Sequence, residues 1–191
     1  MSSQPKTYLT PEQYLEIERA AEYKSEYYDG EMFAMAGARE AHNLIAMNLG
    51  ASLHQQLRAR PCRTYSNDMR VQVGSDRRYT YPDLIVVCDQ PRFLDDRRDT
   101  LLNPTLIVEV LSPSTESFDR GRKFAYYRSI PSLSDYLLVA SEQTSAELFT
   151  RQPDGRWILT AADNPGDTLD IPSVGCRISL ADLYEKVEFT A

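Results

Sequence analysis

The sequence lacks an apolar run long enough to cross a membrane, and its first residues lack the apolar stretch of a secretory signal. Both absences predict a soluble cytoplasmic protein with no membrane partner. Positive charge is also scarce, because 21 lysines and arginines against 28 aspartates and glutamates give a net charge of −7 and a pI near 4.9. This balance argues against a surface coated with phosphate-binding side chains, although a basic groove or a metal ion could still bind a nucleic acid.

Cysteine is also rare in this sequence. Cys62, Cys88 and Cys176 are odd in number and show no paired spacing, which predicts neither a disulfide framework nor a zinc site. We expect buried free thiols instead. No internal repeat, helix-turn-helix or zinc finger is evident. With 191 residues, 42% of them hydrophobic, the chain is long enough for one core, and a single domain over residues 1–191 is predicted.

Turn residues and hydrophobic periodicity predict the order of elements. Thr10, Pro11 and Gln13 form a helix-start signal, and Asp29-Gly30 is typical of a hairpin turn. The predicted helices cover residues 10–21, 39–60 and 115–129, with a short closing helix from Ser179. The predicted strands cover residues 23–28, 31–36, 69–73, 80–88, 106–111, 135–139, 146–150 and 156–160, and residues 89–103 are predicted to be a solvated connection. This order indicates an α/β sandwich with a mixed sheet.

Two of the predicted strands carry a carboxylate among apolar neighbours. Asp83 lies in the run 81–87 and Glu109 in the run 106–111. A lone ionised carboxylate buried in such a strand costs several kcal/mol or more, so the pattern predicts a compensating cation shared by the two residues. Oxygen ligands favour Mg²⁺ or Mn²⁺. The alternative for Asp83 is a structural role at the start of a strand.

The helix that follows these strands has Asp119, Lys123 and Tyr127 spaced four residues apart, which places them on one face. If this face is directed toward the strand ends, the lysine ammonium can reach the predicted metal site. The alternative is that Asp119 and Lys123 form an ordinary surface ion pair.

These segments together resemble the PD-(D/E)xK nuclease superfamily, and more closely the Uma-two family of bacterial restriction endonuclease-like proteins. The resemblance rests on Pro82-Asp83, Glu109-Val110-Leu111-Ser112-Pro113-Ser114-Thr115, Asp119, Lys123 and Tyr127, with Tyr28-Asp29-Gly30-Glu31 and His42-Asn43 upstream. Leu111 stands where the superfamily commonly has its lysine, and Lys123 matches the lysine that the narrower family supplies from the next helix. The implied fold is a restriction endonuclease-like sandwich with a central mixed β-sheet flanked by helices, an N-terminal helix and hairpin, and a β-rich C-terminal extension.

The resemblance implies a metal-dependent endonuclease that hydrolyses phosphodiester bonds in DNA with Mg²⁺ or Mn²⁺. Asp83, Glu109 and the Val110 carbonyl are expected to hold the metal. Lys123 is expected to stabilise charge on the phosphoryl oxygens, and partial burial could lower its pKa so that it orients or deprotonates the attacking water. Asp119 and Tyr127 are expected to position Lys123. His42 is expected either to contact metal-bound water or phosphate or to be a helix-capping or core histidine, and Glu31 is expected either to support the site or to be a solvated turn residue.

A different class of function stays open at this point, namely a nucleic-acid or protein binding module that keeps the fold without catalysis. RNA or a small phosphodiester could also be the substrate. The resemblance further implies a homo-oligomer, such as a dimer, because related nucleases often pair to cut two strands. Phe149 and Trp157 in the C-terminal region are candidates for an interface, or they complete the core.

Overall fold

The computed structural model describes residues 8–74 and 78–189. The helical elements are α1 (Pro11–Ala20), α2 (Glu40–Leu57), α3 (Glu116–Phe118), a π-helical turn (Asp119–Lys123), α4 (Phe124–Tyr127) and α5 (Leu180–Leu183). The strands are β1 (Ser25–Tyr28), β2 (Glu31–Ala34), β3 (Arg63–Ser66), β4 (Arg70–Val73), β5 (Arg78–Thr80), β6 (Leu84–Val87), β7 (Thr100–Leu101), β8 (Leu106–Leu111), β9 (Asp135–Ala140), β10 (Ala146–Arg151), β11 (Trp157–Ala162), β12 (Thr168–Ile171) and β13 (Cys176–Ser179).

The local signals at the start of the chain form the predicted structures. The Thr10 side chain accepts a hydrogen bond from the Gln13 backbone, and the Gln13 side chain accepts one from the Thr10 backbone, so both ends of a capping box are present. Asp29 and Gly30 have φ angles of 48° and 104°. Two consecutive positive φ angles match the twist of a tight hairpin, which places β1 and β2 side by side.

The core is built on a six-stranded sheet in the order β11-β10-β9-β8-β6-β3. The β8–β9 pair is parallel and the other pairs are antiparallel, so the predicted mixed sheet is confirmed. A five-stranded sheet, β2-β1-β5-β4-β7, lies beside it, and β12 pairs with β13 in the C-terminal region. The α/β fold class with an N-terminal hairpin and a β-rich C-terminal extension is therefore confirmed.

The central strand β8 is buried on both faces, and its alternating side chains enter two different cores. Leu106, Val108 and Val110 pack with the apolar side chains of α2. Ile107 and Leu111 pack on the opposite face, in the core that also contains Tyr127. Because Glu109 alternates with the first set, its carboxylate is directed to the face that the helical residues 116–127 cover.

Several strands were missed by the sequence reading. β3, β5 and β7 are short and rich in polar residues, and β12 and β13 were anticipated only as a β-rich tail. Phe149 and Trp157 pack around Phe124, with ring centroids 4.5 and 5.3 Å from its ring, so these aromatic residues belong to the core. Across residues 8–74 and 78–189, no helix is both long and apolar enough to span a bilayer.

The prediction of three free thiols is wrong for two of the cysteines. Cys62 and Cys88 form a disulfide across 26 residues, while Cys176 is buried and free as expected. The physical reason is the strand register: Arg63 pairs with Val87, so the residues just outside that pair lie directly opposite each other. Sequence spacing could not reveal this contact, because β3 was not recognised as a strand.

The predicted solvated connection at residues 89–103 is only partly correct. Residues 95–98 are exposed, but Asp99 binds Arg19 at 2.8 Å and the buried Arg70 at 3.1 Å. The hydrogen bond from Arg19, with the charge of Arg70, lowers the pKa of Asp99 to about 2. This segment therefore ties α1 to the five-stranded sheet.

Candidate active site

A buried lysine is surrounded by three carboxylates. The Lys123 Nζ atom lies 2.9 Å from Glu109 Oε1, 3.2 Å from Glu26 Oε1 and 3.4 Å from Asp119 Oδ1. The Lys123 side chain is only 7% exposed. A buried ammonium is tolerated only when opposite charges and hydrogen bonds replace its water, and these three acids do so. We call Glu26, Asp83, Glu109 and Asp119 together with Lys123 the acidic cluster.

Asp83 joins this cluster through a backbone contact. Its Oδ2 accepts a hydrogen bond of 2.7 Å from the Val110 amide, which fixes the carboxylate beside the strand that carries Glu109. Its Oδ1 lies 3.3 Å from the Nε2 of His42 in the first turn of α2. The position after Pro82 at the entry of β6 lets Asp83 remain partly exposed while the strand that follows is fully buried.

The helical segment 116–127 presents the predicted face to the sheet. Asp119, Lys123 and Tyr127 are all buried, so the alternative of an exposed surface pair is wrong for Asp119 and Lys123. The segment contains a π-helical turn from Asp119 to Lys123, a feature frequent at functional sites. The Tyr127 hydroxyl donates to Glu109 Oε1 at 2.7 Å, so Tyr127 holds Glu109 directly rather than Lys123.

The charge states follow from burial and crowding. Burial raises the pKa of Glu109 well above its usual value, and the negative charges of Asp119, Asp83 and Glu26 raise it further against the opposing effect of Lys123. Burial alone would lower the pKa of Lys123, but its carboxylate neighbours outweigh burial and hold that pKa well above the usual value. The expectation of a lowered lysine pKa is therefore wrong, because Lys123 is buried among acids rather than among apolar groups.

Glu26 was missed by the sequence reading. Its Oε1 accepts from the Tyr81 amide at 3.1 Å and faces Lys123, and its Oε2 accepts from the Tyr28 hydroxyl at 2.7 Å. The available signal was alternation in β1, where Ser25 and Tyr27 are buried and Glu26 and Tyr28 share the other face. That signal identifies the face but does not reveal that Lys123 covers it.

The remaining predicted residues differ in their distance from the cluster. His42 contacts Asp83 directly, as described above. Glu31 lies opposite Tyr28 in the hairpin, two pairs beyond Glu26 along β1. The observed contact of Val110 with the cluster is made by its amide. The predicted roles of Glu31 and of the Val110 carbonyl stay predictions.

The donor set suits a hard divalent cation that keeps much of its water. Three carboxyl groups of the cluster contact a single ammonium, and Asp83 is fixed beside them by the Val110 amide, so acidic groups outnumber the ammonium in this cluster. In the part of the chain that the structure describes, no three His, Cys, Asp or Glu side chains converge as a complete metal site. Two carboxylates with several waters is the usual arrangement for Mg²⁺, whereas structural zinc needs four protein ligands.

Comparison with known proteins identifies one matching family and two similar proteins. The Uma2 family model, described as "Putative restriction endonuclease", matches residues 11–181. An uncharacterized protein of Synechocystis sp. is 37% identical over 189 residues, covering 98% of this chain and 97% of that protein. A second uncharacterized Synechocystis protein is 38% identical over 152 residues, covering 80% and 86%.

One solved structure has the same fold. It is described as a putative nuclease belonging to DUF820 from Anabaena variabilis, with a TM-score of 0.76, 17% identity, and coverage of 94% of this chain and 99% of that one. The family match spans nearly the whole chain, including every member of the acidic cluster. The chain therefore belongs to the Uma2 family.

Proposed function

We propose that this protein is a metal-dependent endonuclease that hydrolyses phosphodiester bonds in DNA, with Asp83, Glu109 and Lys123 as its catalytic residues. The observation that carries the proposal is the 2.9 Å contact between Lys123 Nζ and Glu109 Oε1 inside the acidic cluster. A buried ion pair of this kind is weak evidence of a stabilising role, because desolvation offsets its attraction. A role in stabilising charge during a reaction would explain why this ion pair is buried, which a contribution to folding stability does not explain.

In the proposed reaction, Asp83, Glu109 and the Val110 carbonyl would hold Mg²⁺ or Mn²⁺. A bound divalent ion supplies Lewis-acid chemistry, increasing the acidity of water and neutralising phosphate charge. Lys123, held in its charged form, stabilises the negative charge that develops on the phosphoryl oxygens. The raised pKa supports this electrostatic role over the role of a base.

The surrounding residues act through these three. Asp119 and Glu26 position the Lys123 ammonium, and Tyr127 positions the Glu109 carboxylate through its hydroxyl. His42, at 3.3 Å from Asp83, orients that carboxylate or contacts the substrate phosphate, and Glu31 supports the same edge of the site. A homo-oligomer, with a dimer as the simplest form, would place two such sites against two strands. We propose a cytoplasmic location for the assembly.

A cleavage assay tests the proposal. Plasmid, single-stranded DNA and RNA are incubated with the protein in Mg²⁺, Mn²⁺ or EDTA, and products are followed on gels. We expect metal-dependent cleavage of DNA, reduced about 10²-fold or more in Asp83→Asn, Glu109→Gln and Lys123→Met. Asp154→Asn is the control, because Asp154 pairs with Arg156 on an exposed turn. Equal cleavage by all variants would contradict the proposal.

A second candidate function is a binding module without catalysis. The position of the Lys123 ammonium favours this function, because it contacts the Glu109 oxygen that a metal ion would need as a ligand. Thermal unfolding separates the two functions. The enzyme gains stability as Mg²⁺ or Mn²⁺ is added, by mass action on the folded state, and Asp83→Asn abolishes the gain. A module without a metal site unfolds at the same temperature throughout the titration.

A further inference from the structure

An exposed aromatic ring lies directly beside the acidic cluster. In the β1–β2 hairpin, Glu26 is paired with Phe33, and side chains of directly paired residues lie on the same face of a sheet. The Phe33 side chain is therefore on the face of the hairpin that carries Glu26, whose carboxylate contacts Lys123. Phe33 is 49% exposed. Its neighbour Met32 is on the opposite face, where it packs against the buried tyrosines of α1, β1 and β5.

Phe33 is the outermost member of a continuous group of aromatic side chains. The Tyr28 ring lies 5.9 Å from Phe33, 5.3 Å from Phe118 and 5.8 Å from Tyr126, measured between ring centroids. We call these four residues the aromatic wall. The Tyr28 hydroxyl donates to Glu26, so the aromatic wall contacts the acidic cluster directly.

The edge of the five-stranded sheet leaves one side of this wall open. β2 is the last strand of that sheet, and both Phe33 and Ala34 are exposed in it. A single exposed aromatic residue is ordinary on protein surfaces. Phe33 differs in its location, because a substrate whose phosphate reached Lys123 would place its neighbouring groups near this ring.

We propose that Phe33 stacks on an unpaired nucleobase next to the scissile phosphate, and that the preferred substrate is therefore DNA with a single-stranded segment at the cleavage position. The inference rests on the proposed function and names its substrate class. Bases inside a duplex are stacked on each other and present only their edges in the grooves, so a protein ring reaches an unpaired base without the cost of unstacking a base step.

The charge balance supports stacking as a source of affinity. The net charge of −7 weakens the overall attraction to phosphates, which supplies most nonspecific nucleic-acid binding. Stacking on an aromatic ring needs no positive charge and works with every base, because each base has a π face. The expected binding is accordingly less sensitive to salt than that of a basic nucleic-acid binding protein.

A fluorescent base tests the inference. A single-stranded oligonucleotide containing 2-aminopurine, and the same sequence in a duplex, are titrated with the full chain in EDTA and again in Mg²⁺ while cleavage is followed on gels. We expect the single strand to bind more tightly and its fluorescence to be quenched. Phe33→Leu should abolish the quenching and weaken binding about 5- to 150-fold, while Phe33→Tyr behaves like the wild type.

Phe189→Leu is the matched control, because the Phe189 ring is 40% exposed but packs on Tyr184 near the C-terminal helix. Unchanged binding and quenching in Phe33→Leu would overturn the inference even if the wild type cleaves DNA. Quenching that depends on Phe33 without any cleavage would support the base contact and reject the nuclease. No binding of the single strand, a preference for the duplex, or a Phe33→Leu variant that only converts a dimer into monomers would overturn the inference.

Discussion

Lys123 and Glu109 form a buried ion pair with 2.9 Å between Nζ and Oε1, and the Tyr127 hydroxyl binds the same carboxylate oxygen. The ammonium therefore sits at the junction of the central strand β8 and the helical segment that follows it. An exposed pair of the same length, Lys24 with Asp68, offers a direct comparison within one molecule, because the Asp68 side chain is 81% exposed.

Removing the lysine charge should lower the free energy of unfolding strongly in the buried pair and only slightly in the exposed pair. Lys123→Met leaves crowded carboxylates without their cation, and we expect a loss of about 3–5 kcal/mol in the free energy of unfolding. Lys24→Met should cost less than about 1 kcal/mol. Urea denaturation in EDTA measures both. The double variant Lys123→Met with Glu109→Gln should lose less unfolding free energy than the sum of the losses in the two single variants. Losses that simply add would contradict a direct interaction between the two side chains.

The contact between His42 and Asp83 predicts a pH dependence of stability. Burial disfavours the imidazolium, but the hydrogen bond and charge of Asp83 outweigh burial and raise the pKa of His42 above 6.5. A raised histidine pKa contributes stability that is fully present below the unfolded value and is lost as the pH rises through the folded value. His42→Gln should therefore lose more stability, relative to the wild type, at about pH 5.5 than at about pH 9.

The matched control for this measurement is His54, the second histidine of the chain, which lies on the exposed side of α2. His54→Gln should show the pH profile of the wild type. Asp83→Asn should remove the extra stability at low pH that His42 contributes. A profile that His42→Gln leaves unchanged would show that the Asp83 contact does not hold the imidazolium.

The Cys62–Cys88 bridge predicts a stability that responds to reductants. The disulfide closes a loop of 26 residues in sequence separation. A bridge of that length stabilises a folded chain by about 2–4 kcal/mol, largely by restricting the unfolded state. Dithiothreitol should lower the unfolding free energy of the wild type by that amount and leave a Cys62→Ala, Cys88→Ala double variant unchanged. Equal curves with and without reductant would contradict the bridge.

The sequence predicts the acidic strand residues and the helical face of the site better than it predicts the remaining contacts. Asp83 and Glu109 stand out because apolar strands surround them, and the spacing of Asp119, Lys123 and Tyr127 predicts a shared helical face that the structure shows to be buried. Their proximity is observed, and their catalytic role stays a prediction.

Glu26 and the disulfide could not be predicted in the same way. Glu26 lies in a strand with tyrosines and serine around it, and only the packing of the helical segment 116–127 on β1 identifies its partner. The cysteine contact depends on the register between the polar edge strand β3 and β6, which no local pattern encodes. Both features arise from contacts between elements distant in sequence.

The most direct test of the account is to locate a divalent ion in the acidic cluster. A crystal grown with Mn²⁺ should show an anomalous difference peak between the carboxylates of Asp83 and Glu109, and crystals of Asp83→Asn should lose it. Retention of the Lys123–Glu109 contact without such a peak at saturating Mn²⁺ would contradict the proposed metal-dependent site.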